Sequence, residues 1–236
     1  MSNLTRTANI ALQKLTWTRR VDSWDHADSP GLDRVVEAVL AQVPSAGVNK
    51  AVDIGAGTGR LSIPLASKAQ EVIAVDVSEA MLARLDERVR LAGVSNITSR
   101  AGAAEQQDFA SASIDVVVSN YALHHLRDPD KEKFVKTAVQ WLRPGGKLIV
   151  GDMMFGRGTS SRDRQIIGSK VAAMARKGPA GWWRILKNAG RFMFRVQERP
   201  ISPQAWVALF EAAGLEQVKI EPVVSEAAVV HGTRSR

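Results

Sequence analysis

The sequence predicts an α/β fold in which a mostly parallel, seven-stranded sheet is sandwiched by helices, with a helical insertion after the fifth strand. Three observations support this prediction. Short segments rich in Val and Ile alternate with amphipathic helical segments. The length of 236 residues suits one core of this class with an appendage. The composition, 45% hydrophobic and 24% charged, is typical of a globular protein and excludes disorder.

The first half of the chain alternates helices and strands regularly. Residues 32–43 carry apolar side chains at helical spacing, and the turn residues 44–47 end this predicted helix. The next elements are a strand at 50–55, a helix at 60–69, a strand at 71–76, a helix at 79–92 capped by Ser78, and a strand at 96–99. Such short apolar strands are typical of a parallel sheet that is covered on both faces.

The second half continues this alternation, stops, and then resumes. A strand is predicted at 115–120, a helix at 131–142 and a strand at 147–152, after which the pattern is lost for about fifty residues. A helix at 203–213, ended by Gly214, then precedes two strands, 215–221 and 227–232, that form a closing hairpin. Ligands of such sheets bind at the carboxyl ends of the strands, so candidate site residues are sought there.

Composition excludes several kinds of chemistry. The chain has no cysteine, which excludes disulfides, thiolate nucleophiles, zinc-thiolate sites and iron-sulfur clusters. The four histidines are too few and too scattered to predict a metal site. No stretch of about 18 apolar residues occurs, and the first 17 residues lack a secretory apolar segment, so we expect a cytoplasmic location.

A glycine-rich segment, VDIGAGTG at 52–59, joins the first predicted strand to the following helix. Glycines at such a turn let the backbone approach a ligand closely. Asp76 ends the next strand, where a carboxylate can accept hydrogen bonds from both hydroxyls of an adenosine ribose. Enzymes that bind NAD share this acidic residue, but their glycines follow the pattern G-x-G-x-x-G, whereas here they follow G-x-G-x-G after an Asp.

Two further motifs complete a recognisable set: NYALHHL at 120–126 and LRPGG at 142–146. With these motifs the chain resembles class I S-adenosylmethionine-dependent methyltransferases, and more narrowly the type 11 branch that includes ubiquinone and menaquinone biosynthesis enzymes. The resemblance covers roughly residues 51–152. It implies a Rossmann-like fold and S-adenosylmethionine as the cofactor.

The resemblance also implies roles for individual residues. Around the methionine part of the cofactor it places Asp53, Gly55, Ala56 and Gly57; it places Asp76 on the ribose, Val77, Met81, Ala104 and Glu105 near the adenine, and Asn120 beside the sulfonium. Ala103 stands where the family often has an Asp that contacts the adenine amino group. Adenine recognition is therefore expected to depend on backbone amides, Glu105 or apolar packing. For Asn120 a plain turn role at the end of the strand is the alternative.

The resemblance places His124 and His125 near the transferring methyl group. An imidazole can serve as a general base near neutral pH, so both are candidate catalytic residues. The alternative is structural: one histidine caps a helix and the other packs. A thiol, amine or enolised carbon acceptor needs no base, whereas a phenol or alcohol benefits from one.

The basic excess is concentrated in one segment. Residues 156–199 contain eleven Lys and Arg against two acids, while the rest of the chain has 21 basic and 22 acidic residues. Within this segment, residues 182–195 predict a basic amphipathic helix, preceded by a shorter helix at 164–176. Three interpretations remain open: a cap over the substrate pocket, peripheral contact with an anionic membrane, or binding of nucleic-acid phosphates, which no recognised module supports.

The predicted organisation is a lid helix at 1–31, a cofactor-binding core at 32–155, the basic cap at 156–203, and a closing helix and strands at 204–236. The predicted function is methyl transfer from S-adenosylmethionine to a small, largely apolar acceptor: a lipid, a quinone precursor or a secondary metabolite. The alternatives are a non-catalytic regulator or partner subunit that binds the cofactor, and a nucleic-acid methyltransferase that uses the cap. The oligomeric state stays open.

Overall fold

The computed structural model describes residues 3–21, 30–156, 161, 163–165, 168, 171–172 and 198–235. The predicted basic helix at 182–195, most of the predicted helix at 164–176, and residues 22–29 of the predicted lid lie outside the described residues. Within the described part of the chain, no helix is both long enough and apolar enough to cross a membrane.

The seven predicted strands form one sheet. In chain order they are β1 (Lys50–Ile54), β2 (Glu71–Asp76), β3 (Ile97–Ala101), β4 (Ile114–Asn120), β5 (Leu142–Met153), β6 (Leu215–Val224) and β7 (Ala227–Arg234). Their spatial order is β3-β2-β1-β4-β5-β7-β6. The first five strands pair in parallel, and β7 pairs antiparallel with both β5 and β6. The predicted fold class and the closing hairpin are thereby confirmed.

Six α-helices are described around this sheet: α1 (Asn3–Thr18), α2 (Pro30–Gln42), α3 (Ser62–Leu65), α4 (Glu79–Leu91), α5 (Asp128–Trp141) and α6 (Pro203–Ala212). Ser78 caps α4 by accepting a hydrogen bond from the Met81 amide, as predicted. Ser202 caps α6 in the same way through the Ala205 amide. Short 3-10 turns at Ala104–Gln106 and Leu123–His125 follow β3 and β4.

The two faces of the sheet carry separate apolar cores. Along β4 the side chains alternate: Val117 packs in one core with Phe134, Trp206 and other residues of α5 and α6, whereas Val116 and Val118 pack in the other core, which includes residues of α2 and α3. Every one of these β4 valines is buried. This alternation is what a strand needs when helices cover both faces of its sheet.

Several element boundaries differ from the prediction, and three of them have a clear physical reason. The helix predicted at 60–69 is limited to Ser62–Leu65, because the carbonyls of Ala66 and Ala69 accept hydrogen bonds from the Asn96 side chain instead of continuing a helix. The helix predicted from residue 131 begins at Asp128, where Pro129 and two acidic residues favour a helix start. The fifth strand begins at Leu142 instead of residue 147, since Leu142 pairs with Ile114 before a register shift.

Candidate active site

An open cleft with about 910 Å³ of empty volume lies where the parallel strands end. The ends of β1, β2 and β4 and the loops after β1, β2, β3 and β4 form most of its wall, and α1, α2 and α4 contribute further residues. All ten residues predicted to hold the cofactor line this cleft: Asp53, Gly55, Ala56, Gly57, Asp76, Val77, Met81, Ala104, Glu105 and Asn120. The topology therefore brings the predicted residues together, because β1, β2 and β4 are neighbours whose carboxyl ends share one edge of the sheet.

The glycine-rich loop is held tightly against the end of β2. The amides of Gly55 and Ala56 donate to the Val75 carbonyl, at 2.8 and 2.9 Å. Gly55 has a φ of 75°, and a Cβ on it would lie 2.2 Å from the Ala122 Cβ. A larger residue is thus excluded by both backbone conformation and space. The loop leaves room for a ligand because its glycines carry no side chains into the cleft.

Asp76 joins this loop to the start of α4. Its Oδ2 accepts a hydrogen bond from the Gly57 amide at 2.9 Å, and its Oδ1 accepts one from the Ser78 amide at 2.8 Å. Burial raises the pKa of this carboxyl, while the backbone amides act in the opposite direction. Each carboxylate oxygen has more than one lone pair, so the fixed carboxylate can still accept a pair of ligand hydroxyls.

Asp53 is buried at the end of β1 with one oxygen satisfied. The Ser62 hydroxyl donates to its Oδ2 at 2.6 Å, whereas its Oδ1 has no hydrogen-bond partner among the described residues. Burial raises the pKa of Asp53 to about 7, the Ser62 hydrogen bond lowers it, and the nearby Asp76 adds to the rise. An orphan carboxylate oxygen in a cleft wall is suited to a cationic amine.

Asn120 shows the same feature at the end of β4. Its Oδ1 is buried and has no hydrogen-bond partner within the part of the chain that the structure describes. The set of hydrogen-bond acceptors thus fits S-adenosylmethionine. Asp53 and Asn120 offer acceptors for its ammonium group and Asp76 offers them for its ribose, while the glycine loop leaves room beside the backbone. These roles remain predictions, although the cleft has the chemistry they require.

The predicted adenine side lacks an acidic residue at position 103. Ala103 is buried and lines the cleft beside Ala104 and Glu105. Behind it, the Gln107 side chain donates to the Ala103 carbonyl at 3.1 Å. This contact fixes the backbone of the loop after β3, so apolar contacts and Glu105 are what the loop presents to a ligand.

The two histidines have different surroundings. His125 lines the cleft, whereas His124 does not and is only 4% exposed. The His124 Nδ1 lies 2.5 Å from the Asp152 Oδ1, and the His124 amide donates to the Oδ2 of the same carboxylate at 2.8 Å. The two imidazole rings are 4.0 Å apart between centroids. Asp152 therefore holds His124 directly behind the histidine that reaches the cleft.

Asp152 did not emerge from the sequence as a site residue. It ends a strand segment of apolar residues, and it is fully buried. A buried acid needs a partner, so an Asp at the carboxyl end of a central strand is a signal that could have indicated the pairing. Its histidine partner follows the neighbouring strand β4, and only the sheet order reveals that proximity.

Helix α1 closes one side of the cleft, as the predicted lid would. Gln13 and Trp17 line the cleft; the Gln13 side chain donates to the His125 carbonyl at 3.3 Å, and the Trp17 ring meets the His125 ring edge-on at 5.2 Å. The carboxyl end of α1 also reaches the start of α4, where the Thr18 and Ser78 hydroxyls are 3.1 Å apart. Gln13 was not predicted, because a lone glutamine on a helix carries no sequence signal.

Tyr121 and Arg60 complete the parts of the wall that sequence reasoning missed. Tyr121 has a φ of 50°, unusual for a bulky residue, and its amide donates to the Gly151 carbonyl at 2.8 Å. Burial, together with Glu226 and Asp152, raises the pKa of its phenol. Arg60 pairs with Asp33 at 2.6 Å. No group of three metal-ligating side chains occurs among the described residues.

Comparison with known proteins agrees with this geometry. Residues 51–146 match the family model of a methyltransferase domain. The chain is 31% identical over 126 residues to phosphoethanolamine N-methyltransferase 1 of Triticum aestivum, which covers 52% of this chain and 25% of the wheat protein. It is 28% identical over 124 residues to 27-O-demethylrifamycin SV methyltransferase of Amycolatopsis mediterranei, covering 52% of this chain and 45% of that protein.

Residues 51–146 are those that match a methyltransferase domain, and these similarities support a class I S-adenosylmethionine-dependent methyltransferase.

Two solved structures have the same fold. Phosphoethanolamine N-methyltransferase 1 of Haemonchus contortus, crystallised with phosphoethanolamine and S-adenosylhomocysteine, is similar with a TM-score of 0.57 and 26% identity, covering 64% of this chain and 34% of that chain. A methyltransferase of Thermotoga maritima is similar with a TM-score of 0.64 and 21% identity, covering 94% and 100%. S-adenosylmethionine is the cofactor of this family. The chain spans a quarter to about half of the two curated relatives named above.

Proposed function

We propose that this methyltransferase transfers a methyl group from S-adenosylmethionine to a small, largely apolar acceptor bound in the same cleft. The observation that carries the proposal is that two kinds of group line the cleft. The first is polar: the glycine loop, the two carboxylates and the orphan Asn120 oxygen. The second consists of apolar and aromatic side chains: Leu32, Leu123, Leu126, Trp17 and Tyr121.

The bound cofactor would supply an electrophilic methyl group on a sulfonium. The residues of the chain would hold the cofactor and the acceptor and exclude water. Asp53 and Asp76 would fix the two ends of the cofactor by accepting hydrogen bonds. Leu32 and Trp17 would exclude water from the acceptor, which favours displacement by fixing both reactants in a dry site. Positioning of this kind needs no acid or base when the acceptor is already nucleophilic.

For an acceptor with a hydroxyl group, we assign the role of general base to His125. It lines the cleft, and its ring adjoins that of His124, which Asp152 holds. A carboxylate beside Nδ1 of His124 keeps a proton on that nitrogen and fixes the ring orientation. His124 is thereby proposed to act on the reaction through His125 and not by direct contact with the acceptor.

The acceptor class rests on the wall composition and on the relatives. The names of the two relatives specify phosphoethanolamine and 27-O-demethylrifamycin SV, one small and polar and the other large. Many of the residues that line this cleft are apolar, and its Arg60 is paired with Asp33. This composition favours a lipid, a quinone precursor or a secondary metabolite. The basic segment at 156–203 is proposed to cap this cleft, with membrane contact as the further option.

The first test is calorimetric titration with S-adenosylhomocysteine, with NADH as the control ligand. We expect micromolar binding of S-adenosylhomocysteine alone. The Asp76→Ala variant should bind it more weakly by roughly 1.5 to 3 kcal/mol, because hydrogen bonds to a charged group are lost. The matched variant Asp86→Ala, on the exposed face of α4, should bind normally. Binding of NADH alone would overturn the proposal.

Turnover is tested separately, because a fold of this kind does not by itself guarantee a reaction. Apolar phenols, quinols and lipids are incubated with S-adenosylmethionine carrying a labelled methyl group, and transfer of label is measured. We expect label in an apolar acceptor. Tight cofactor binding with no transfer to any acceptor class would favour the alternative, a cofactor-binding regulator or partner subunit.

A further inference from the structure

Lys131 is buried in α5 without any exposed side-chain surface, and the proposed reaction does not use it. Its side chain is 0% exposed, yet it carries an ammonium group. Burying an ammonium is costly unless every donor finds an acceptor. The Lys131 Nζ donates to the Leu126 carbonyl at 2.6 Å, to the Arg199 carbonyl at 2.7 Å and to the Asp128 Oδ1 at 3.3 Å. Three donors thus reach three different acceptors.

Two of these acceptors belong to segments that meet at the histidine loop, residues 123–127. Leu126 directly follows the two histidines. Arg199 comes from the far side of the insertion, and it makes its own contacts with the loop: its amide donates to the His124 carbonyl at 2.6 Å, and its guanidinium donates to the His125 carbonyl at 3.3 Å. Lys131 therefore links the histidine loop to Arg199, which contacts the same loop through its amide and its guanidinium.

We propose that Lys131 is a positioning residue, which holds the histidine loop and Arg199 in one arrangement so that His125 faces the cleft. This inference rests on the proposed function for its catalytic meaning. An ammonium suits this task because one group supplies three donors to two stretches of the chain, residues 126–128 and Arg199. A methionine of similar length would fill the same space but would leave the Leu126 and Arg199 carbonyls without this donor.

The test compares Lys131→Met with the matched variant Lys136→Met. Lys136 lies on the same helix, is exposed and pairs with Glu132, so its replacement should leave the loop unchanged. The readout is the imidazole NMR spectrum, recorded with and without S-adenosylhomocysteine, in which each histidine is assigned by a His→Gln variant. His231 on β7 serves as the internal reference.

In Lys131→Met we expect the His124 and His125 resonances to shift or broaden while the His231 resonance stays in place. Exchange of the Arg199 amide should accelerate on the order of tenfold, because the segment that carries it has lost a hydrogen bond. The Lys131→Arg variant, which keeps a cation with several donors, should restore part of the native spectrum. A merely structural lysine would change stability without this selective effect on two of the histidines.

The inference is overturned if folded Lys131→Met shows all histidine resonances at their native positions. Where Lys131→Met does not fold, Lys131→Gln decides: its shorter side chain keeps a polar group but cannot serve all three acceptors, and it should shift His124 and His125 but not His231. Native resonances in that variant also overturn the inference. These outcomes do not depend on the cofactor, since failure of the unaltered protein to bind S-adenosylhomocysteine would contradict the proposed function alone.

Discussion

Asp53 illustrates how a single buried carboxyl can lower stability while it serves a site. Its pKa is raised from 3.8 to about 7 by burial, so the folded protein holds this proton more tightly than the unfolded chain does. Below the pKa of Asp53 in the unfolded chain, the carboxyl is protonated in both states, and the shift costs no stability. As the pH rises from 3.8 to about 7 stability is progressively lost, and above that range the full penalty applies.

The Asp53→Asn variant should therefore be more stable than the unaltered protein at pH 8, by about 1 to 3 kcal/mol, with a difference that shrinks towards pH 4. It should also bind S-adenosylhomocysteine more weakly, because the amide carries no charge. Urea denaturation at several pH values measures the first effect, and calorimetry measures the second. The exposed Asp108→Asn variant is the control and should show neither effect. Equal stability at pH 8 would contradict the buried-charge explanation.

The histidine pair provides the second prediction at this scale. For a hydroxyl acceptor, His125→Gln should reduce kcat by roughly 100-fold and remove the acidic limb of the pH-rate profile, since the base is lost. Asp152→Asn should have a smaller effect, because it disturbs the orientation of His124 and acts on His125 indirectly. An Asp152→Asn effect larger than that of His125→Gln would show that the direct base has been assigned to the wrong histidine.

At the scale of elements, the order of strands and helices was predictable because four strands, β1, β2, β4 and β5, contain short runs rich in Val and Ile that are closed by Gly, Asp or Asn. Local sequence could not show where α3 stops, since Asn96, some thirty residues later, supplies the donor to the carbonyls of Ala66 and Ala69 just beyond its end. Asp152 was missed for a related reason. Its partner His124 lies on the loop of a different strand, and that contact depends on strand order and register, which no local pattern encodes.

Helix α1 is an element whose removal the sheet should tolerate. It contributes no strand, and its contacts include the Gln13–His125 hydrogen bond, the Trp17–His125 ring contact, the Thr18–Ser78 pair and the exposed Lys14–Glu79 ion pair. Deletion of residues 1–18 should leave a folded protein that releases S-adenosylhomocysteine faster, because one wall of the cleft is lost. Stopped-flow displacement measures this rate.

Two point variants distinguish the contribution of the Trp17 side chain to closure of the cleft from that of the Lys14–Glu79 ion pair. Lys14→Ala should have little effect, because both partners of the exposed pair stay largely in solvent. Trp17→Ala should act like a partial deletion, since it opens the cleft beside His125. Release rates that do not change in the deletion variant would exclude α1 from closure of the cofactor site.

At the scale of the whole molecule, charge and chemistry are distributed unequally along the chain. The cofactor half of the cleft is built from the loops between residues 53 and 120, where basic and acidic residues are mixed. The basic excess lies in residues 156–199, between β5 and α6. Cofactor affinity and acceptor turnover should therefore depend on different stretches of sequence, and a deletion can separate them.

Replacing residues 182–195 by a short Gly/Ser linker should spare the affinity for S-adenosylhomocysteine and abolish transfer to an apolar acceptor, because the acceptor side loses its proposed cap. Vesicles of anionic and of neutral lipid then distinguish the two meanings of the basic segment. Binding of the unaltered protein to anionic vesicles alone, lost at high salt and in the deletion variant, would favour delivery of a membrane-borne acceptor. Binding to neither kind, with turnover still lost on deletion, would favour a cap that only closes the pocket. Full turnover after the deletion would remove this segment from the reaction altogether, and the acceptor would then have to be held by the described walls of the cleft.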